Sequence, residues 1–435
     1  MKLNYKNTIL VGLAFLTISA FWQLYEFHVP LILQNIYKID HTTSGFIMSL
    51  DNIVALFMLP LFGMLSDRTR TKIGRRMPFI FFGTLASVMF MLGMPFAVQT
   101  RQLVVFMIAL GLVLISMAFY RSPAVALMPD VTPKPLRSKG NAVINLMGSI
   151  GGASILLLNA FLAPKAKVAD PNYWPIFITT AAIMLVGMAV LIITVRETKL
   201  VKKMREDSAA MGIDPEEAKE SDKPTVNKKE KLPTDVRKSL LLILISISLW
   251  FMGYNAVTTS FSKYAINALG MQESQASLIL MVATIAATIA FIPVGIISTR
   301  IGRRRSILFG VVLLAAVFGT AALYTAYSPL MYISFALAGI AWASINVNSL
   351  PMVLEMSKGA NVGQYTGYYY TFSMAAQVIT PILSGFLLDK VGFSTLLPYG
   401  AIFVALAFFT MLFVRHGDSK PIAPASKLEA FDVAD

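Results

Sequence analysis

Twelve apolar runs, each close to the length needed to cross a bilayer, constrain this chain more than any other feature. They lie near residues 8–33, 42–65, 78–98, 102–127, 140–162 and 173–195, and then near 238–262, 275–298, 305–326, 329–352, 365–388 and 393–414. A span needs about 20 mainly apolar residues. With 56% hydrophobic residues, 14% charged and a mean hydropathy of +0.67, a soluble fold of 435 residues could not hide so much apolar surface. The expected class is an all-α polytopic membrane protein in two pseudo-symmetric six-helix halves. Their bounds are 1–195 and 238–415, with a charged linker at 196–237 and a polar tail at 416–435. The linker is too polar to bury a core and reads as solvated, with room for short surface helices.

The loops fix orientation. Arg68, Arg70, Lys72, Arg75 and Arg76 crowd the turn after the second run, and Arg300, Arg303, Arg304 and Arg305 crowd the turn after the eighth. Basic loops stay on the cytoplasmic side, so both termini are expected there, in a cell (inner or plasma) membrane. Lys165 and Lys167 sit on the expected outer side, against the trend. The net charge of +14 could suggest nucleic acid, but the basic residues alternate with apolar runs, which is a topology pattern. Cys is absent and the three His are scattered, which argues against disulfides and metal sites. No nucleophile has an activating His or Lys nearby and no Walker loop appears, so neither an enzyme nor an ATP-driven pump is expected. No cofactor is implied, and the expected state is a monomer.

The basic turn is repeated. Ile73-Gly74-Arg75-Arg76 returns as Ile301-Gly302-Arg303-Arg304, 228 positions on (Ile73 to Ile301). Such a repeat implies parallel halves related by an axis along the membrane normal. A weaker repeat follows the fourth and tenth runs: Asp130, then Arg137-Ser138-Lys139-Gly140-Asn141, against Glu355, then Ser357-Lys358-Gly359-Ala360-Asn361. Each acid falls beside the basic turn of its own half. The set Asp67, Arg68, Gly74, Arg75, Arg76, Asp130, Arg137, Arg300, Arg303, Arg304 and Glu355 is therefore expected to act as a cytoplasmic gate, with simple topology as the rival reading.

The doubled turn G-x-x-x-D-R-x-x-x-x-x-G-R-R resembles the signature of the major facilitator superfamily. Leu59-Pro60, Gly63, Ser66-Asp67-Arg68, Gly74-Arg75-Arg76 and Pro78-Phe79-Ile80 are similar to the sucrose:proton symporters, within the wider glycoside–pentoside–hexuronide:cation group. Ser122-Pro123-Ala124-Val125-Ala126-Leu127-Met128-Pro129-Asp130 adds to that likeness. The resemblance implies twelve helices, the first, fourth, seventh and tenth lining a central cavity, and a sugar or glycoside moved by symport with protons as the halves rock. Two departures matter. Leu114 stands where the plant carriers have an Asp, and Ala55 and Leu59 stand where the sodium-coupled melibiose-type carriers have acids. Coupling must therefore use other residues, with sodium remaining an alternative ion.

Three ionisable residues fall well inside spans: Glu26, Asp51 and Arg121. Each costs at least about 2.5–3.5 kcal/mol at mid-membrane unless it faces the interior. Trp22, Tyr25 and Glu26 share one helical face, which suits a sugar: rings stack on C–H faces and a carboxylate accepts from hydroxyls. An interfacial aromatic belt is the competing reading. Asp51, with Asn52 beside it, is the expected proton carrier, and Arg121 its switchable partner or a permanent lock. The second half offers Tyr254, Asn255, Trp342, Asn346 and Gln377, neutral groups that suit hydroxyl-rich ligands or act as helix–helix glue. The rival functions are an uncoupled or sodium-coupled carrier of another small polar solute, and a sensor that keeps the fold without flux.

Overall fold

The computed structural model describes residues 3–133, 136–162, 171–210, 233–356 and 362–418. Among them, twelve helices are long and apolar enough to cross a membrane. The first half holds α1 (Tyr5–Leu31, extended by a wider turn over Ile32–Ile36), α2 (His41–Arg68), α3 (Met77–Gln99), α4 (Leu103–Val131), α5 (Arg137–Leu162) and α6 (Trp174–Thr194). The linker contributes α7 (Glu197–Ala210). The second half holds α8 (Thr234–Asn267), α9 (Glu273–Ile301), α10 (Arg303–Ala321), α11 (Leu330–Glu355), α12 (Val362–Lys390) and α13 (Leu396–Leu412, entered through a tight turn at Phe393–Thr395). The expected spans match these to within a few residues. Lys165, Lys167 and the segment 357–361 lie outside the described residues, as does most of the expected linker and tail.

The chain forms two compact units. Unit 1 takes Met1–Ile39, Leu50–Pro215 and Met271–Met281, and unit 2 takes Asp40–Ser49, Glu216–Gly270 and Val282–Asp435. The expected halves placed all of α2 in the first and all of α9 in the second. In the structure the first turns of each cluster with the other unit.

Helix pairing repeats from one unit to the next. In unit 1, α1 packs on α4, α5 and α6, and α3 packs on α4 and α6. In unit 2, α8 packs on α11, α12 and α13, and α10 packs on α11 and α13. Each partner is shifted by seven labels, so the doubled sequence motif is a doubled fold. Phe57, Phe82, Phe161, Ile193, Leu323 and Phe413 stay on the outer surface. In hydrocarbon such side chains lose nothing by exposure, since lipid tails are as apolar as they are.

Without a hydrophobic force between helices, packing depends on close approach, and small residues permit it. A Cβ on Gly151 of α5 would lie 2.2 Å from the Leu16 carbonyl oxygen of α1. One on Gly339 of α11 would lie 2.2 Å from the Ala283 carbonyl oxygen of α9. Gly152, the next residue, faces only Gln23, no nearer than 3.6 Å. Gly151→Ala should therefore push α1 from α5 and lower the melting temperature in detergent, at about 1–3 kcal/mol for overpacking. Gly152→Ala should leave the melt unchanged or raise it slightly. Equal behaviour of the two variants would contradict this account of the interface.

Candidate functional site

Unit 1 gathers the membrane-embedded charges. On α1 the three- and four-residue spacing puts Trp22, Tyr25 and Glu26 together, as expected. The Trp22 and Tyr25 rings meet edge to face at 5.4 Å. Arg121 reaches in from α4, its guanidinium carbon 5.8 Å from the Trp22 ring centroid. Such a contact between a cation and a π face contributes roughly 0.5–2 kcal/mol. Asp51 of α2 stands within electrostatic reach of Tyr25, Glu26 and Arg121. Among the described residues, Asp51 and Arg121 form no ion pair at contact distance, so the expected partner acts on Asp51 from farther away. Asp51 accepts instead from the Asn52 backbone N–H at 2.6 Å and from its side-chain amide at 2.8 Å. Glu26 itself is exposed on α1. The Trp22 indole N–H and the Tyr25 hydroxyl are buried without a partner. One cation, two carboxyls and two idle donors thus converge in one unit.

In unit 2, Lys263 of α8 is 2% exposed and within electrostatic reach of Asp389 of α12, and no counterpart of the Glu26–Asp51–Arg121 cluster occurs among the described residues. The Tyr254 ring of α8 and the Trp342 ring of α11 lie parallel, 3.7 Å apart and 6° from coplanar. Phe251 buttresses Trp342 edge-on at 5.3 Å. Beside this platform the Asn255 amide nitrogen and the Asn346 amide oxygen are buried without hydrogen bonds. Buried amides left unpaired are uncommon and costly, so one idle donor and one idle acceptor stand out here. Gln377 of α12 is half-buried, and the structure records no hydrogen bond for its side chain.

At the basic turn the structure brings most of the expected gate together. Arg75 meets Asp130 at 2.6 Å, and Arg76 meets the same carboxylate at 2.8 Å. Arg76 also binds Asp67 and the Ser66 hydroxyl. In unit 2, Arg303 meets Glu355 at 2.7 Å. Arg304 donates to the Leu412 carbonyl at 2.5 Å. Arg137 turns back to the Pro129 and Thr132 carbonyls at the end of α4 rather than to an acid. Arg68 and Arg300 are exposed, and neither forms an ion pair among the described residues.

Sequence reasoning missed the acids that hold these turns in place. Glu197, the first residue of α7, is 1% exposed. It accepts from the backbone N–H groups of Arg75 (2.9 Å), Arg76 (3.0 Å) and Met77 (3.1 Å) at the start of α3. Gly74 adopts φ +126°, and a Cβ there would strike Glu197. In unit 2, Asp418 accepts from the Arg304 N–H at 2.8 Å, beside Gly302 at φ +95°. An acid after the last span of each half therefore caps the N-terminus of the third helix of that half. The signal was present: Val195-Arg196 precedes Glu197, and Val414-Arg415 precedes Asp418. The spacing differs by two residues, so the repeat does not register in sequence. Asp389, just beyond the eleventh apolar run, accepts from the His41 and Thr42 N–H groups at 2.8 and 2.7 Å, capping α2 within unit 2.

Residues 11–273 and 260–433 each match the Major Facilitator Superfamily. A curated relative, a sucrose transport protein (SUC3) of Arabidopsis thaliana, is 32% identical over 132 residues. That match takes 26% of this chain and 22% of the relative's own length. Among solved structures, the nucleoside transporter NupG superposes with a TM-score of 0.68 at 14% identity, over 93% of this chain and 98% of that one. A bacterial homologue of the human drug peptide transporters PepT1 and PepT2 gives 0.66 at 12% identity, over 95% and 98%. Identities this low establish the shared fold alone.

The caps give a test. Glu197→Ala strips three buried N–H groups of their acceptor, at about 1–3 kcal/mol for each group left unpaired. The melting temperature should fall clearly, and Glu197→Gln should recover part of the loss. Asp418→Ala, which removes one such bond, should cost less. A Glu197→Ala protein that melts like the parent would show that the cap is dispensable.

Proposed function

The chain belongs to the Major Facilitator Superfamily, and from that premise we propose that it carries a sugar or glycoside across the cell membrane together with protons, by alternating access. The observation that carries this reading is the division of labour between units: ionisable groups converge in unit 1, while unit 2 presents stacked rings flanked by idle amides. A pyranose offers apolar C–H faces to a ring platform and hydroxyls that both donate and accept, which Asn255 and Asn346 can satisfy. The partial kinship with a sucrose transport protein supports the same substrate class.

In the proposed cycle Asp51 takes up the proton. Neutral Asp51 no longer repels the Glu26 carboxylate and no longer draws on Arg121, so both become available to substrate hydroxyls. Loss of that proton restores both interactions and weakens substrate binding. The basic turns face the cytoplasm in this reading, and their ion pairs with Asp67, Asp130 and Glu355 part when that side opens.

Purified protein in liposomes, with external pH followed as mono- and disaccharides are added, tests substrate and coupling together. A coupled sugar makes the outside alkaline. Silence across the panel from folded protein would remove the sugar–proton reading in favour of sodium coupling, a facilitator or a sensor.

Two variants sharpen it. Asp51→Asn should abolish uphill accumulation while counterflow exchange continues, and intact accumulation would take the proton role from Asp51. Trp342→Ala should raise the half-saturating sugar concentration by tenfold or more, equal to about 1.4 kcal/mol of lost stacking. An unchanged value would place the sugar elsewhere.

A further inference from the structure

A second buried polar cluster lies in unit 1, apart from Glu26, Asp51 and Arg121. Glu273, the first residue of α9, is 6% exposed and belongs to the segment Met271–Met281 that clusters with unit 1. Its carboxyl oxygen Oε2 lies 3.6 Å from Nδ1 of His28, which is wholly buried on α1. On the far side of the imidazole, Nε2 is 2.9 Å from the side-chain oxygen of Asn159 on α5. The Tyr173 phenol, at the entry to α6, lies within electrostatic reach of Glu273, and its ring packs edge-on against His28 at 5.5 Å. Phe27 and Phe177 complete the cage. Among the described residues no Lys or Arg forms an ion pair with Glu273.

We propose that Glu273, His28, Asn159 and Tyr173 form a proton-binding site, distinct from the Glu26–Asp51–Arg121 cluster. The donors and acceptors of the cluster balance only with such a proton. With the Asn159 oxygen toward the ring, Nε2 must carry a hydrogen and donate it. A neutral imidazole then turns the lone pair of Nδ1 at Glu273. Two acceptors would face each other unless a proton lies between them, as a carboxylic acid donating to Nδ1 or as an imidazolium donating to the carboxylate. Either way the cluster is neutral overall. When the proton leaves, the Asn159 amide turns over, its NH₂ donates to Nε2, and the remaining ring hydrogen moves to Nδ1 and points at a carboxylate. The cluster then carries one negative charge. One proton is bound or released between the two states, and the amide adapts to each. The buried Asn159 nitrogen, His28 Nδ1 and Glu273 Oε2, all without hydrogen bonds here, are the atoms this exchange uses.

The equivalent anchor in unit 2 shows the contrast. Asp389 is exposed and saturated by the N–H groups of His41 and Thr42, with Lys263 within electrostatic reach. It has every reason to stay ionised. Glu273 has one phenol and one imidazole in an apolar cage, where an uncompensated charge is costly. Proton loss therefore favours admission of water at the first turn of α9.

Nitrogen-15 labelling of histidine in the full chain, in lipid nanodiscs, reads the site directly, because the chain has three His. His28→Asn assigns its signal. The expected result is one pH-dependent step at His28, between a form protonated at Nε2 and a form protonated at Nδ1. That step should vanish in Glu273→Gln, persist in Asp51→Asn, and shift without vanishing in Tyr173→Phe. No sugar is needed, so the outcome is independent of the substrate reading. A single His28 tautomer across the whole pH range in the parent protein would overturn the proposal, as would a step that survives Glu273→Gln unchanged or is lost in Asp51→Asn. If Glu273→Gln does not fold, the parent and Tyr173→Phe titrations decide.

Discussion

A bilayer interior supplies no water to pair with a polar group, and the arrangement of this protein follows from that single lack. Backbone groups are satisfied by making the spans helical. Side-chain charges cannot be scattered, since each must meet a partner, an aqueous cavity or an end of the membrane. They accordingly collect in a few places: the Trp22–Tyr25–Glu26–Asp51–Arg121 cluster, the Glu273–His28 cluster, and the basic turns with their acids. The rest of the span surface is free to be Phe, Ile and Leu, because lipid makes no demand on it.

The same devices are then used twice. Arg75 and Arg76 on Asp130 correspond to Arg303 on Glu355, and the cap by Glu197 corresponds to the cap by Asp418. The first turns of α2 and α9 are each held by an acid, but differently. Asp389 caps α2 from outside its helix, whereas Glu273 is itself the first residue of α9. The contacts at the helix ends thus recur in both units, while the interior groups differ: unit 1 holds the Glu26–Asp51–Arg121 cluster, and unit 2 holds the stacked Tyr254 and Trp342 rings with two unpaired amides.

The spans, the doubled turn and the acids that pair with its arginines could be read from sequence, because they depend on local composition and on a motif written twice. Trp22, Tyr25 and Glu26 could be placed on one face because helical spacing alone decides it. What sequence could not supply was pairing across the chain. Glu197 looks like an ordinary linker acid, Glu273 and Asp389 fall just outside apolar runs, and His28 looks like an isolated core histidine. Each acquires meaning only from a residue more than a hundred positions away. Arg68 and Arg300 belong to the same motif, but at a solvent-facing helix end nothing obliges a long cation to find a protein partner, and neither forms an ion pair among the described residues.

The uneven distribution of charge between the units bears on how a proton and a neutral solute could be linked. A hydroxyl-rich ligand has no charge with which to sense a proton directly. A protein group must translate protonation into a change in hydrogen-bonding capacity. Asp51 stands where it can do so, since its charge acts on Glu26 and Arg121, both of which can hydrogen-bond a hydroxyl. The neutral platform of unit 2 would hold the ligand in every protonation state, because neither a stacked ring nor an amide titrates in the physiological range. A carrier that couples a proton to a neutral solute needs some contacts that do not titrate, because a site whose every contact vanished with the proton could not hold its ligand long enough to move it.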